Sequence, residues 1–216
     1  MIITTITRHM CRRLVHKEWT TLCEQLISLY HIHERDSGAC PPRIMQAFLI
    51  SGEDHRFFNH CVVDLIAIAR IVWRRCVHWK TEGASTIEMQ LVRVLTGRYE
   101  RSLLRKLREA ALATLVSEIL PKSELPALYL RVAYYGWHMN GFTEACRQLN
   151  LNPLSMSRQD ATGLVARLKY PEPRVMPPRR GEQIGIRQQH LLFLANKHAK
   201  SNTYRGLRRI LDYETI

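Results

Sequence analysis

The sequence has no CxxC pair, no HExxH motif and no uninterrupted apolar run of the ~18 residues that a membrane-spanning helix needs. In a chain of 216 residues, six scattered cysteines predict neither a disulfide framework nor a zinc site, and buried thiols are the simplest interpretation. The ten histidines are equally scattered, so no metal site is predicted from them. The first residues carry arginines where a signal peptide would have its apolar segment, so no export signal is expected.

Acidic residues are also in short supply, since 19 Asp and Glu stand against 32 Lys and Arg and give a net charge of +13. The electrostatic field of this positive charge favours an anionic partner, such as nucleic acid, an anionic membrane surface or a phosphate-bearing ligand. An apolar share of 46% is ordinary for a folded protein. The length suits one large domain or two small lobes.

Alternating strand patterns of convincing length and internal repeats are absent as well. Helical periodicity and breaker residues predict a mainly α chain, with loops at 37–42 and 170–180. The predicted helices cover 14–32, 43–75, 86–120 with a weak point at Thr96-Gly97, 122–135, 158–168 and 182–199.

The segment SGEDHRFFNH, residues 51–60, has two adjacent acids, Glu53 and Asp54. If residues 53–64 are helical, then Glu53, Phe57, His60 and Asp64 share one face. An acid beside an aromatic side chain in a cleft wall can have a raised pKa and act as a general base. A purely structural role explains the segment about equally well.

The segment GASTIEMQLVR, residues 83–93, is typical of a loop that leads into a helix with Ser85 or Thr86 as the N-cap. The N-terminus of a helix can bind an anion, although a simple capped helix accounts for the same residues.

The segment RSLLRKLREAALATL, residues 101–115, predicts a helix with two distinct faces. Arg101, Arg105, Arg108 and Glu109 fall on one side, and Leu103, Leu107, Ala111 and Leu115 fall on the side expected to face a core. The charged side is either a solvated face with an Arg105–Glu109 pair or a cationic row suited to a pyrophosphate and a divalent ion.

In this order, EDHRFFNH, GASTI-EMQ, RKLRE and KSELPALYLRVAYYG closely resemble the motifs of the peptidoglycan glycosyltransferases of family 51. These are the polymerase domains of class A penicillin-binding proteins and their single-domain relatives. The resemblance runs from about Pro41 to about Pro173. It implies a mainly α, lysozyme-like, two-lobed fold with a small membrane-facing jaw. The expected organisation is a basic amphipathic helical segment at 1–40, the glycosyltransferase domain at 41–180, and a C-terminal helical segment at 181–216 that packs on the same domain.

The resemblance also implies a reaction, the polymerisation of lipid II into a growing glycan strand. The acceptor's 4-hydroxyl attacks the donor's anomeric carbon with inversion and expels undecaprenyl pyrophosphate. Glu53 matches the catalytic base, and Glu109 matches a second acid that orients the donor or a metal ion. No cofactor is obligatory, and a divalent cation, Mg²⁺ or Mn²⁺, is compatible with the pyrophosphate site. The residues that match substrate-binding positions are Asp54, Phe57, His60, Ser85, Thr86, Gln90, Arg93, Arg101, Arg105, Lys106 and Arg108.

Residues 65–80 fall where the jaw is expected. Trp73 and Trp79 lie among arginines there, which suits a bilayer interface, although an ordinary amphipathic helix has the same pattern. The expected location is peripheral, at the outer (periplasmic) face of the cytoplasmic membrane, without a transmembrane anchor and with a cell-wall or secretion-machinery partner to bring the chain there. An anionic lipid substrate accounts for the net charge, so no nucleic-acid partner is needed, and no transpeptidase domain is expected.

Several positions depart from the family pattern, namely Val62, Glu88, Met89, Val94 and Arg131. They leave two main hypotheses, a divergent enzyme and a catalytically weak accessory module that binds lipid II or glycan. A lytic muramidase is disfavoured because glycan cleavage has no pyrophosphate to neutralise. Glu88 would weaken donor binding unless its side chain points away from the pyrophosphate.

Overall fold

The computed structural model describes residues 11–35, 40–60, 85–100 and 102–204. The described chain is predominantly helical, which confirms the predicted fold class. The helices are α1 (His16–Arg35), α2 (Arg43–Glu53), α3 (Ile87–Thr96), α4 (Leu103–Ile119), α5 (Leu125–Val132), α6 (Phe142–Gln148), α7 (Arg158–Lys169) and α8 (Pro178–Ala199). A short hairpin, β1 (Tyr134–Gly136) and β2 (Met139–Asn140), lies between α5 and α6.

Helix α2 forms the centre of the core. Seven consecutive residues, 45–51, are buried, so every face of the helix is covered by protein. It packs against α5, α7 and α8, and α3 packs against α1, α4 and α5. Because α2 is enclosed, the position at which it ends is fixed by packing on all sides.

The predicted helix over 43–75 is wrong, because α2 ends at Glu53. Asp54 leaves helical geometry with φ −152° and ψ 67°, and one 3₁₀ turn follows at Phe57–Asn59. Glu53, Phe57 and His60 therefore do not share a helical face, contrary to the prediction. The physical reason is that the Asp54 carboxylate accepts hydrogen bonds from His60 and from the backbone N–H of Ile87, which hold the chain in a loop after α2.

The predicted weak point at Thr96-Gly97 is a true break between two helices. Gly97 ends α3 in the left-handed conformation with φ 64°, which glycine adopts without steric cost. Helix α4 then starts afresh, and the Ser102 side chain caps it by accepting from the Arg105 backbone N–H.

The antiparallel β1–β2 pair was not predicted from the sequence. Its two strands have three and two residues, which is too short for an alternating pattern to stand out. Gly136 in β1 also bridges to Glu172, so the hairpin ties down the start of the proline-rich connector. Helix α6, which the prediction missed as well, packs on this hairpin.

Some predictions fall outside the described residues, including those for Arg101, Val62, Asp64 and the interfacial segment 65–80. In the part of the chain that is described, no helix combines the length and apolar character needed to cross a bilayer.

Gly52 lies where α2 packs closely on α8, so its substitution tests that contact. A methyl group at this position would overlap the Cδ2 atom of Leu191 and approach Arg187 Nη2 to 3.0 Å. Overpacking of this kind costs about 1–3 kcal/mol, so we expect Gly52→Ala to lower the free energy of unfolding in urea by that amount. Gly185→Ala in α8 is the matched control. It meets no atom within 4 Å and should raise stability by about 0.5–1 kcal/mol through helix propensity. Equal urea midpoints for Gly52→Ala and the unmodified chain would show that α2 and α8 have room for a methyl group at this position.

Candidate active site

Glu53 lies at the C-terminal end of α2 and is held by Arg187 of α8. Arg187 Nη2 donates to Glu53 Oε1 at 2.8 Å and to the Gly52 carbonyl at 2.9 Å. Gln90 Nε2 of α3 approaches the other oxygen, Oε2, at 3.5 Å. The Arg187 side chain is 7% exposed and that of Glu53 is 22% exposed. The cation is therefore buried behind the carboxylate, and the carboxylate itself reaches solvent.

Sequence reasoning missed Arg187, which stands 134 residues after Glu53. The helix at 182–199 was predicted as a packing element, and nothing in its periodicity singles out one arginine. The sequence instead suggested that an aromatic side chain lies next to Glu53 and raises its pKa. The charged partner of Glu53 in the structure is a guanidinium group.

Asp54 joins the loop after α2 to the start of α3. Its carboxylate accepts from His60 Nε2 at 2.9 and 3.0 Å and from the backbone N–H of Ile87 at 3.4 Å. The side chains of Asp54 and His60 are both buried, at 7% and 4% exposure. The carboxylate lies at the positive end of the α3 dipole, where an anion is stabilised. Asp54 thus links the segment at residues 51–60 to the segment at residues 83–93.

Lys122 closes the same loop from the other side. Its ammonium group donates to the His60 carbonyl and lies 4.7 Å from the centre of the Phe57 ring. Phe57 is fully buried. Asp54, Phe57 and His60 are therefore brought together with Lys122 as one packed unit directly after Glu53.

Glu88 points away from any external ligand, since its side chain has 0% exposure and lies 3.4 Å from Lys122 Nζ. Burial raises the pKa of the Glu88 carboxyl, and the positive charge of Lys122 opposes that shift. The Lys122 cation offsets the charge of Glu88, which reduces the repulsion expected between this residue and a bound pyrophosphate.

Glu109 of α4 is the centre of a second charged group. Arg93 of α3 binds it with two hydrogen bonds, from Nε at 2.9 Å and from Nη2 at 3.1 Å. Arg105 donates to the same carboxylate and to the Glu100 carbonyl. Arg93 Nη2 also donates to Ser85 Oγ at 2.9 Å. The carboxylate raises the pKa of Arg93, as expected for a cation in a two-point ion pair.

The predicted orientation of α4 is wrong in its first half. Arg105 and Glu109 are buried, whereas Leu103 and Leu107 are 78% and 62% exposed. The buried stripe runs along Arg105, Glu109, Leu112 and Val116, with i, i+4, i+7 and i+11 spacing. Charge pairing with α3 decides the orientation, because Arg93 on α3 requires Glu109 to face inward. Ala111 and Leu115 are buried as predicted.

The remaining predicted residues are spread around these two groups. Thr86 is buried and caps α3, accepting from the Met89 backbone N–H at 3.4 Å. Lys106 is exposed. Arg108 points towards Glu18 of α1, at 3.8 Å, and is not part of the Glu109 network in the described contacts.

Tyr129 of α5 connects the Glu53 and Glu109 groups. Burial raises the pKa of its hydroxyl, the Glu53 carboxylate raises it further, and the Arg93 guanidinium lowers it. The side chain is 6% exposed, so little solvent screens these interactions. Glu53 and Arg93 are therefore both within electrostatic range of one tyrosine.

Glu109 does not fit a metal-ligand role in this arrangement. Both of its oxygens accept from Arg93, and Oε1 also accepts from Arg105, so two guanidinium groups already neutralise it. Within the described ranges, no three His, Cys, Asp or Glu side chains are grouped so as to hold a metal ion.

Comparison with known proteins finds a family model and several curated relatives that match this chain. A family model described as Transglycosylase matches residues 27–195. Penicillin-binding protein 1A of Haemophilus influenzae is 36% identical over 121 residues, which are 54% of this chain and 14% of that protein. The Escherichia coli (strain K12) protein of the same name is 35% identical over 125 residues, 54% of this chain and 15% of that protein. That of Neisseria flavescens is 32% identical over 175 residues, 78% of this chain and 21% of that protein. The chain thus spans about a seventh to a fifth of the length of these curated relatives.

Glu109→Gln tests whether this acid holds the fold together. The change leaves the buried Arg105 and the partly exposed Arg93 without their counter-charge, and breaking a buried ion pair costs about 3–5 kcal/mol. We expect that loss in the free energy of unfolding in urea. Glu144→Gln, which removes an exposed glutamate paired with Arg147, should leave the midpoint nearly unchanged. If Glu109→Gln unfolds at the same urea concentration as the unmodified chain, Glu109 has no structural role.

Proposed function

The chain belongs to the transglycosylase family of glycosyltransferases, and from that premise we propose that it polymerises lipid II into peptidoglycan glycan strands. The observation that carries the proposal is the placement of Glu53, a partly exposed carboxylate at the end of a buried helix, with Arg187 fixed behind it. Such an acid is positioned but still accessible to a substrate hydroxyl.

The two oxygens of Glu53 have different environments, which suggests their roles. Arg187 holds Oε1 at 2.8 Å, whereas Oε2 has only the long contact to Gln90 among its described partners. We assign Oε2 as the proton acceptor. The acceptor hydroxyl loses its proton to Oε2 while its oxygen attacks the anomeric carbon of the donor. The bond from that carbon to the pyrophosphate oxygen breaks, and lipid pyrophosphate leaves with the electron pair.

The leaving pyrophosphate requires positive charge, for which Arg93 and Lys106 are the candidates. Arg93 is 25% exposed, and its orientation is fixed by Glu109 and Ser85. Lys106 is exposed on α4. Preorganised cations stabilise a developing anion without reorganising during the reaction, which is the main electrostatic contribution expected here.

Helix α4 also supplies an apolar surface that suits an anionic bilayer. Leu103, Leu104 and Leu107 are 78%, 54% and 62% exposed, and Tyr99 just before them is 62% exposed. Lys106 lies on the same helical turn, and the whole chain carries a charge of +13. Exposed leucines beside cations are typical of interfacial helices. We propose that this surface rests on the outer face of the cytoplasmic membrane, where lipid II is presented.

A binding module without turnover is the second hypothesis, and its motivation was the set of departures from the family pattern. Glu88 is the departure that would have harmed donor binding most. Because its side chain is buried against Lys122, it gives the module no specific support. The activity experiment below therefore decides between the enzyme and the binding module.

Glu53→Gln tests the enzyme. Purified protein is incubated with labelled lipid II in detergent, and the products are resolved on a gel as a ladder of glycan strands. Glutamine keeps the contact to Arg187 but cannot take a proton, so we expect the rate to fall by at least about 10²–10⁴-fold while lipid II binding persists.

Glu144→Gln is the control for this experiment, since it removes a glutamate on α6 that is ion-paired at the surface. It should give the same ladder as the unmodified chain. An unchanged ladder with Glu53→Gln would rule out Glu53 as the base. Binding of lipid II without any ladder from the unmodified chain would favour the module.

Leu103→Ser combined with Leu107→Ser tests the membrane surface. Burying one leucine side chain contributes about 1.5–3 kcal/mol, so we expect co-sedimentation with phosphatidylglycerol-containing vesicles to weaken by about tenfold or more. Both side chains are exposed, so the free energy of unfolding should stay nearly constant. Leu154→Ser is the matched control, because Leu154 is 83% exposed in a different part of the surface. Equal vesicle binding in all three proteins would show that this surface does not contact lipid.

A further inference from the structure

A cysteine, a histidine and a glutamate meet where α1, the start of α2 and the start of α5 come together. Cys40 Sγ lies 3.9 Å from both ring nitrogens of His33, and His33 Nε2 lies 3.6 Å from Glu124 Oε2. The three residues come from separate segments of the chain, and His33 and Glu124 are 91 residues apart in the sequence (124 − 33 = 91). None of them takes part in the site around Glu53.

The His33 side chain is 9% exposed, whereas Cys40 is only half-buried and reaches solvent. The three side chains line a cavity of about 280 Å³ together with Pro41, Arg43 and Ser123. Cys40 Sγ lies 3.8 Å from the Pro41 carbonyl oxygen, Gln46 Nε2 donates to that carbonyl at 3.0 Å, and Pro41-Pro42 restricts the backbone, so the chain beside Cys40 is held in place. The thiol is thus both accessible and fixed.

Contacts with Cys40 and then with Glu124 raise the pKa of His33 to about 9. The imidazole is therefore a cation at neutral pH, and Glu124 is its counter-ion, since the contact with His33 lowers the pKa of Glu124. A cationic imidazole beside a thiol stabilises the thiolate, which is the nucleophilic form of cysteine.

The other described cysteines have different surroundings. Burial raises the pKa of Cys146 to about 11. Burial followed by the nearby charge of Glu118 raises the pKa of Cys11. Both shifts disfavour the thiolate. Among the four cysteines that the structure describes, Cys40 is the one that lies against a histidine side chain.

We propose that Cys40 is a reactive thiol and a site of thiol–disulfide exchange with an anionic small-molecule disulfide of the oxidised glutathione class. Arg43 and the His33 cation against the single charge of Glu124 leave the cavity net positive, which suits the carboxylates of such a ligand. Cys40 sulfur attacks one sulfur of the disulfide and forms a new S–S bond. The other half leaves as a thiolate, and the proton lost by Cys40 ends on that departing thiol.

The experiment treats the full chain with oxidised glutathione at neutral pH and measures the mixed disulfide at each cysteine over time by peptide mass spectrometry. We expect Cys40 to react at least about tenfold faster than Cys23, which is also half-buried. His33→Asn should lower the Cys40 rate to that of Cys23. Glu124→Gln should lower it by a smaller factor, because it removes only the counter-ion of His33.

His31→Asn is the matched control. His31 lies on the same helix with an exposed side chain, 3.9 Å from Glu34, and its loss should leave the Cys40 rate unchanged. Circular dichroism checks that each variant is folded, and Glu124→Gln serves as the test if His33→Asn is not. A Cys40 rate equal to that of Cys23, or a rate that neither variant lowers, would overturn the proposal. The readout is independent of glycosyl transfer, so its failure would leave the proposed function untouched.

Discussion

The enclosure of α2 by the rest of the core is the constraint on which the candidate site depends. A helix buried over residues 45–51 can neither shift nor rotate without opening its contacts with α5, α7 and α8. Its last residue is Glu53, so the carboxylate emerges at a point fixed by packing. Gly52 contributes to the same packing. Because it has no side chain, α8 can approach α2 closely and place Arg187 against Glu53.

Buried charges in this protein occur in neutralised groups, and each group joins elements that the core alone would not align. Glu109 binds Arg93 and Arg105 across α3 and α4, Asp54 binds His60 beside the start of α3, and Glu88 faces Lys122. Desolvating such groups is costly, so their value lies in orientation more than in stability. Together they fix α3 beside Glu53 and α4 against α3, and Arg93 is left partly exposed where an anion can reach it.

Much of the fold and part of the site could be predicted from local sequence. Helical periodicity gave the mainly α class, Thr86 was a recognisable cap, and Gly97 marked the break before α4. The acids Glu53 and Glu109 stood out because their residue types and order matched a family pattern. The end of α2 could not be predicted, since the helical pattern continues past Glu53 and the contacts of Asp54 with His60 and Ile87, which hold the loop there, join residues that are more than a helical turn apart in the sequence.

The sequence by itself determined the helical class, the cap at Thr86 and the break at Gly97, because these follow from interactions within a few residues, and it singled out the two acids through their match to a family pattern. Tertiary structure alone decided which face of α4 is buried and which cation meets Glu53. Both depend on partners far along the chain. Arg93 draws Glu109 inward and leaves Leu103 exposed, and Arg187 reaches Glu53 only because α8 packs against Gly52. Here a charge pair between two helices overrides local amphipathic periodicity, because the buried Glu109 carboxylate requires a counter-ion.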